Sequence, residues 1–220
     1  MNKVVGILAL LTVTACATSG GGGYVSESES YARKISASPT LAANADYFRN
    51  RYGSSDKDQA FYGYYAISTG SILVASYDET IKKPPIKGDH ASLLQFMRTF
   101  RDVLEMHALN TTSVWNTAIQ RNVKSKYSFI DFSEALSIVT REHERLGVFN
   151  KLTIIKAILA DNVASLPKER YPQTLNMYAV LSQLSALIES PKGSLVTFNA
   201  SKNALISEFE KSLALSLLEK

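Results

Sequence analysis

The stretch DHASLLQFMRTFRDVLEMH, residues 89–107, decides the fold. Asp89 is a residue type that caps helix N-termini, because its carboxylate can accept from an otherwise unpaired backbone N–H. Behind it, Leu93, Phe96, Met97, Phe100, Leu104 and His107 recur at steps of three and four. That is the spacing of a helix with one inward stripe.

The same period continues in both directions. On the N-terminal side, Lys82-Lys83-Pro84-Pro85-Ile86-Lys87-Gly88 is a break, stiffened by two prolines and freed by a glycine. Before it, a helix is expected from Ser55 or Asp56 to about Ser76, although Gly70-Ser71-Ile72-Leu73-Val74 also reads as a short strand. Further back, Ser38-Pro39 opens a helix with Leu41, Ala45, Phe48 and Tyr52 on one face and Gly53 at its end.

On the C-terminal side, a separate helix is expected from Thr111 to about Lys124, with Trp115, Ala118, Ile119 and Val123 close together. Asp131 to Glu134 is a capping-box spacing with Asp as the cap. It opens a helix burying Phe132, Ala135, Leu136, Val139, His143 and Leu146, which Gly147 can end. Asn150–Leu166 runs to the stop at Pro167. Pro172 then starts a helix with Leu175, Tyr178, Leu181, Leu184 and Ile188 inward, and Ser190-Pro191-Lys192-Gly193 breaks it. Ser194 opens the last helix, carrying Leu195, Phe198, Leu205, Phe209, Leu213 and Leu217. No alternating run is strong enough for a sheet, and no repeat has a fixed period. The expectation is one all-α domain, a bundle of about seven helices over residues 38–220.

Composition narrows the function classes. The net charge is +4, scattered along the chain, which argues against a nucleic-acid partner. The chain has one cysteine, Cys16, in Val13-Thr14-Ala15-Cys16. Lys3 and the apolar run Val4 to Val13 precede it, and the run is shorter than the roughly 20 residues that a membrane-spanning helix needs. Residues 1–15 therefore read as a secretory signal. Residues 16–37, with the glycines Gly20 to Gly23, read as a flexible tether.

The tetrapeptide Val13-Thr14-Ala15-Cys16 resembles the lipobox of bacterial lipoproteins: an aliphatic residue, a small or hydroxyl residue, Ala or Gly, then cysteine. The resemblance implies that Cys16 becomes the first residue of the mature chain and carries acyl groups on its sulfur and amine. Ala17 stands where an Asp would favour inner-membrane retention, so the resemblance further implies an outer-membrane lipid anchor; the domain is expected on the periplasmic face, with surface exposure the alternative. Acylation would use the only thiol, leaving no disulfide, thiolate nucleophile or cysteine-ligated metal in the domain.

Candidate site residues are few. His107 and His143 fall on the inner stripes of their helices. Together they could hold a metal or work with a carboxylate, but none of the three histidines, His90, His107 and His143, has the glutamate of a Glu-x-x-His pair three residues before it; Lys87, Leu104 and Thr140 stand there. The competing reading is a pair of hydrogen-bonded core histidines. His90, beside the Asp89 cap, reads as exposed. Glu142 and Glu144 flank His143 and read as solvated. Nucleophile elbows and phosphate loops are missing. No cofactor and no metal are expected.

Tyrosine is distributed unevenly: Phe61-Tyr62-Gly63-Tyr64-Tyr65 would cover most of a helix circumference. Tyr62, Tyr64 and Tyr65 are thus candidate partner-binding residues, since tyrosine offers rigid contact area with a polar tip. Cover by later helices is the alternative. Lys82, Lys83 and Lys87 either touch anionic head groups near the anchor or line a solvated loop.

The expected function is a non-enzymatic, outer-membrane-anchored helical lipoprotein that binds a protein partner in the envelope, of the assembly or secretion accessory type. Its membrane contact would run through the acyl chains on Cys16. The alternatives are an immunity or exclusion lipoprotein that blocks a toxin, phage or conjugative transfer, and a periplasmic hydrolase.

Overall fold

A computed structural model describes residues 57–124 and 131–219. Those residues form six helices: α1 (Lys57–Ile81), α2 (His90–Lys124), α3 (Phe132–Arg145), α4 (Val148–Ala164), α5 (Pro172–Glu189) and α6 (Leu195–Ser216). No strand occurs among the described residues. The all-α expectation holds, with six helices described against the about seven expected. The helix expected over residues 38–53 and the tetrapeptide ending at Cys16 lie outside the described residues.

Two expected boundaries dissolve. The segment Gly70–Val74 is helical, and α1 continues to Ile81. Leu73 and Tyr77, four residues apart, are both fully buried, while Ile72 between them and Gly70 is partly exposed. Burial therefore follows the helical period rather than strand alternation.

Likewise, the segments expected before His107 and after Thr111 are one helix, α2, of 35 residues. At 1.5 Å per residue it is about 50 Å long. Nothing between Leu109 and Thr111 breaks it, because neither glycine nor proline occurs there. Thr111 does not cap a new helix; its hydroxyl donates back to the His107 carbonyl at 3.4 Å.

The other ends follow their capping chemistry. Asp89 accepts from Ser92 N, and Asp131 Oδ1 accepts from Glu134 N at 2.8 Å. Ser194 and Thr197 form a reciprocal capping box at the start of α6. Pro172 occupies the first turn of α5. Gly147 adopts φ 81°, a left-handed conformation that glycine takes without strain, and turns α3 directly into α4.

The central helix is α2, which touches each of the other five. α5 and α6 pair antiparallel: Asn176, near the start of α5, donates to Glu208 and Ser212, near the end of α6. The larger core runs through Leu73, Phe100, Leu104, Leu152, Ile155 and Phe209. Each such side chain contributes roughly 1.5–3 kcal/mol when buried. A second, smaller cluster joins α1, α2 and α3 through Tyr62, Ala66, Val114, Ala118, Ile138 and Val139. Trp115 stacks on Phe132 at 3.6 Å and leans on Phe198, bridging the two.

Inner stripes differ in detail from expectation. On α5, Thr174, Met177, Val180 and Ser185 join Leu181, Leu184 and Ile188 inside, whereas Leu175 and Tyr178 are half-buried. On α3, Phe132 and Leu136 are half-buried, and Glu142 is fully buried rather than solvated. Position 142 lies seven residues beyond buried Ala135, on the same face, and Arg145 Nε meets its carboxylate at 2.8 Å. Glu144 is exposed as expected.

Candidate functional site

Packing brings three polar features together. The first lies between α1, α2 and α3. Tyr77 Oη is 3.1 Å from His107 Nδ1, and Thr69 Oγ1 is 3.1 Å from His143 Nε2. The two imidazoles face each other edge-on with centroids 5.5 Å apart. Thr69 donates its own proton to the Tyr65 carbonyl at 2.9 Å, so the His143 Nε2–H is the donor to Thr69. The sequence-predicted pair His107 and His143 is thus brought together, inside the protein, with 3% and 2% exposure.

Glycine makes this approach possible. A Cβ placed on Gly70 would lie 2.6 Å from Leu146 Cδ1 and 2.9 Å from His143 Cδ2, both too short for carbon contacts. Gly70 thereby lets α1 and α3 close over the ring.

Burial sets the protonation of the group. It drives the His107 pKa down from 6.5 to about 3, and the neighbouring His143 pushes the same way. His143 falls to about 4 through burial, resisted by the Ala66 carbonyl and the Glu142 carboxylate. Tyr77 is pushed far up by burial, with the charge of Glu189 adding to it. At neutral pH the cluster consists of two neutral imidazoles and a phenol. Among the described residues, no three His, Cys, Asp or Glu side chains group as metal ligands.

The second feature is an open groove of about 590 Å³ between α3 and the turn joining α5 to α6. One wall is the outer face of α3, where Ser133, Ser137, Thr140 and Arg141 succeed one another at helical spacing. Phe132 and Leu136 add apolar side chains, and Ser190, Pro191 and Gly193 line it from the turn. Glu144 and Glu189 also line it, and Glu189 is held by Lys156 at 3.0 Å. Neither core histidine lines this groove. The sequence reading missed it, because its two walls are distant in the chain and the outer residues of α3 carry no motif.

The third feature closes one end of the bundle. His90 Nε2 lies 2.7 Å from Thr174 Oγ1, and Thr174 donates to Glu219 Oε2 at 2.8 Å. Glu219 Oε1 accepts from Gln173 N. Helix α5 has no capping side chain of its own at Tyr171. Glu219, beyond the end of α6, supplies the missing acceptor. His90 also stacks against Tyr171 at 4.3 Å. Its side chain is 17% exposed, which corrects the expectation that it stands in solvent. The burial lowers its pKa, and the charges of Glu219 and Asp89 oppose the shift.

The tyrosine run divides between inside and outside. Tyr62 is 1% exposed and belongs to the smaller core cluster, so its ring is packing rather than contact surface. Tyr64 and Tyr65 are half-buried, and Tyr65 Oη donates to the Asn110 carbonyl at 3.3 Å. No known protein family, curated protein or solved structure matches the chain.

Proposed function

We propose that this chain is a lipid-anchored helical protein of the outer membrane that acts without catalysis, by binding another envelope component on the periplasmic side. The observation that carries the reading is Val13-Thr14-Ala15-Cys16 behind a short apolar run, together with a helical domain in which no described helix is long and apolar enough to cross a membrane. An acylated Cys16 supplies the membrane attachment. The domain supplies the contact.

The groove along α3 is the surface best suited to that contact. It is open, and its lining combines hydroxyls, both charge signs and the apolar side chains of Phe132 and Leu136. Such a lining fits an extended peptide segment of a partner, which needs hydrogen-bonding groups along its length and shallow apolar seats for alternate side chains. Tyr64, half-buried on α1, belongs to the same proposal as a secondary contact. The enclosure of His107 and His143 supports binding over reaction, since both rings are buried and each spends one ring nitrogen on a hydroxyl, of Tyr77 and Thr69 respectively.

Two experiments test the reading. Cys16→Ser should abolish incorporation of labelled palmitate and leave an uncleaved precursor; normal processing of that variant would remove the anchor. Affinity capture from native membranes should recover an envelope protein with the unsubstituted chain. It should lose that protein with Ser137→Arg, while Thr153→Arg, on an exposed position of α4, keeps it. Equal capture by both variants would remove the groove.

A further inference from the structure

At the end of the bundle closed by His90, Thr174 and Glu219, three connections meet: the loop of residues 82–89, the loop of residues 165–171 and the turn after α6. Lys87 reaches Asp161 at 3.8 Å, Tyr171 covers His90, and Glu219 sits on the start of α5. This end exposes large apolar side chains. Ile86 is 67% exposed, Leu217 70% and Leu218 75%.

The 82–89 loop is held firmly while it presents Ile86. Pro85 beside it is buried, Ile86 N donates to Ser92 Oγ at 2.8 Å, and Asp89 N donates to the Ile86 carbonyl. An isoleucine kept in water by a stiff loop gains nothing for the fold.

Cations share this end. The two loops carry Lys82, Lys83, Lys87, Lys168 and Arg170 against Asp89 and Glu169. Two further carboxylates on the adjoining helices, Glu79 and Asp161, pair with Lys82 and Lys87, but in pairs whose side chains are all more than 60% exposed. Such pairs are weak and exchange readily for another anion. Lys83 and Lys168 form no ion pair among the described residues. Glu219 is turned inward and committed to α5.

We propose that this end of the bundle is a docking face for an anionic lipid bilayer, with Ile86, Leu217 and Leu218 entering the interface and Lys82, Lys83, Lys87 and Lys168 meeting head-group phosphates. Exposed apolar side chains and lysines on one end match the cross-section of a charged bilayer surface, where the acyl boundary underlies the anionic layer. Each lysine within reach of that surface strengthens association about fivefold. The inference rests on the anchor reading for its biological setting, since a lipid on Cys16 would hold the domain beside a bilayer. Docking would then choose which face the domain turns toward the membrane, leaving the α3 groove, on other elements, to the partner.

The test uses the full lipidated chain in vesicles whose lipids carry brominated acyl chains, which quench indole fluorescence only on contact. Trp115, the one native tryptophan, is buried against Phe132 and serves as a silent reference. Ile86→Trp and Leu218→Trp report on the docking face. Val196→Trp, 78% exposed at the opposite end of α6, reports on mere proximity. The expected result is strong quenching for Ile86→Trp and Leu218→Trp in vesicles of phosphatidylcholine mixed with phosphatidylglycerol. Quenching should be several-fold weaker in phosphatidylcholine alone, several-fold weaker again with Lys83→Gln and Lys168→Gln added, and absent for Val196→Trp. Absent quenching at Ile86→Trp and Leu218→Trp, equal quenching in both lipid mixtures, or equal quenching for Val196→Trp overturns the proposal. Vesicle flotation reads the anchor separately. A chain that floats but is not quenched keeps the anchor and loses the docking face. A chain that fails to float on neutral vesicles yet is quenched on anionic ones does the reverse.

Discussion

Two histidine clusters of this protein differ in what made them. His107 sits at the middle of its helix and His143 in the last turn of its own, both on stripes whose apolar neighbours already point inward. His90 sits at a helix start beside a charged cap, where the local pattern points to water. All three end up hydrogen-bonded to a hydroxyl: Tyr77, Thr69 and Thr174 respectively. The first pair is enclosed by helix faces, and the third by a turn returning from the far end of the chain. Enclosure by faces removes nearly all water and displaces the pKa values of His107 and His143 to about 3 and about 4. Enclosure by a turn leaves His90 at 17% side-chain exposure, with its pKa lowered by the same cause, burial.

Acid gives the largest separation between the two clusters. Both core histidines bind a proton more readily in the unfolded chain than in the folded one, so stability is full above about pH 6.5 and falls as pH drops toward 4. Each contributes a slope of about 1.4 kcal/mol per pH unit in that window. Denaturant midpoints measured from pH 7 to pH 4 should therefore decline steeply. His107→Gln should flatten the decline by about half, and His90→Gln should change it much less. Equal flattening by the two variants would erase the distinction drawn between them.

Gly70→Ala comes next. Alanine is the better helix former by about 1 kcal/mol, so an open site would be stabilised. Here the added methyl meets Leu146 and His143, and overpacking of this kind costs about 1–3 kcal/mol. Net destabilisation in thermal melts is expected, together with a rise in the His143 pKa by NMR titration as the helices part. A stabilised Gly70→Ala would show that the ring is not clamped.

Tyr77→Phe removes one hydroxyl and keeps the ring. The unmade bond to His107 should cost about 1–3 kcal/mol, because the buried nitrogen is left without its partner. The smallest effect belongs to the other cluster. Glu219→Ala takes away the acceptor that caps α5, and loss of a cap costs about 0.5–2 kcal/mol. Hydrogen exchange at Gln173 should accelerate while exchange at Leu184, deep in α5, stays slow. Uniform acceleration would mean that the turn holds the whole helix rather than its first residues.

Much of the fold was legible because it depends on local chemistry. Asp131, Gly147, Pro172 and Ser194 mark helix ends through capping, φ preference and a missing N–H, which act within a few residues. The expected break between the two halves of α2 failed for a different reason. His107–Thr111 carries no breaker, and packing against five neighbouring helices holds the helix through. Glu142 was misread because a helix wedged between α1, α2 and α4 buries a wider arc than an apolar stripe reveals. Of the candidate site residues, the His107–His143 pair was legible as inward and able to meet, but not in its partners, Tyr77 and Thr69. Tyr62 was legible as one of too many aromatics for a single face, but not as the one inside.

The sequence by itself determined that the described chain is helical, where most helices begin and end, and which tetrapeptide resembles a lipidation signal. Those properties follow from backbone donors, φ preferences and side-chain spacing over one or two turns. Tertiary structure alone decided that Gly70 admits an imidazole, that Glu219 caps a helix it does not belong to, that a groove opens along α3, and that Ile86 and Leu218 share one end with the lysines. Each of these depends on atoms brought together from distant parts of the chain, and such distances are set by how whole helix faces pack.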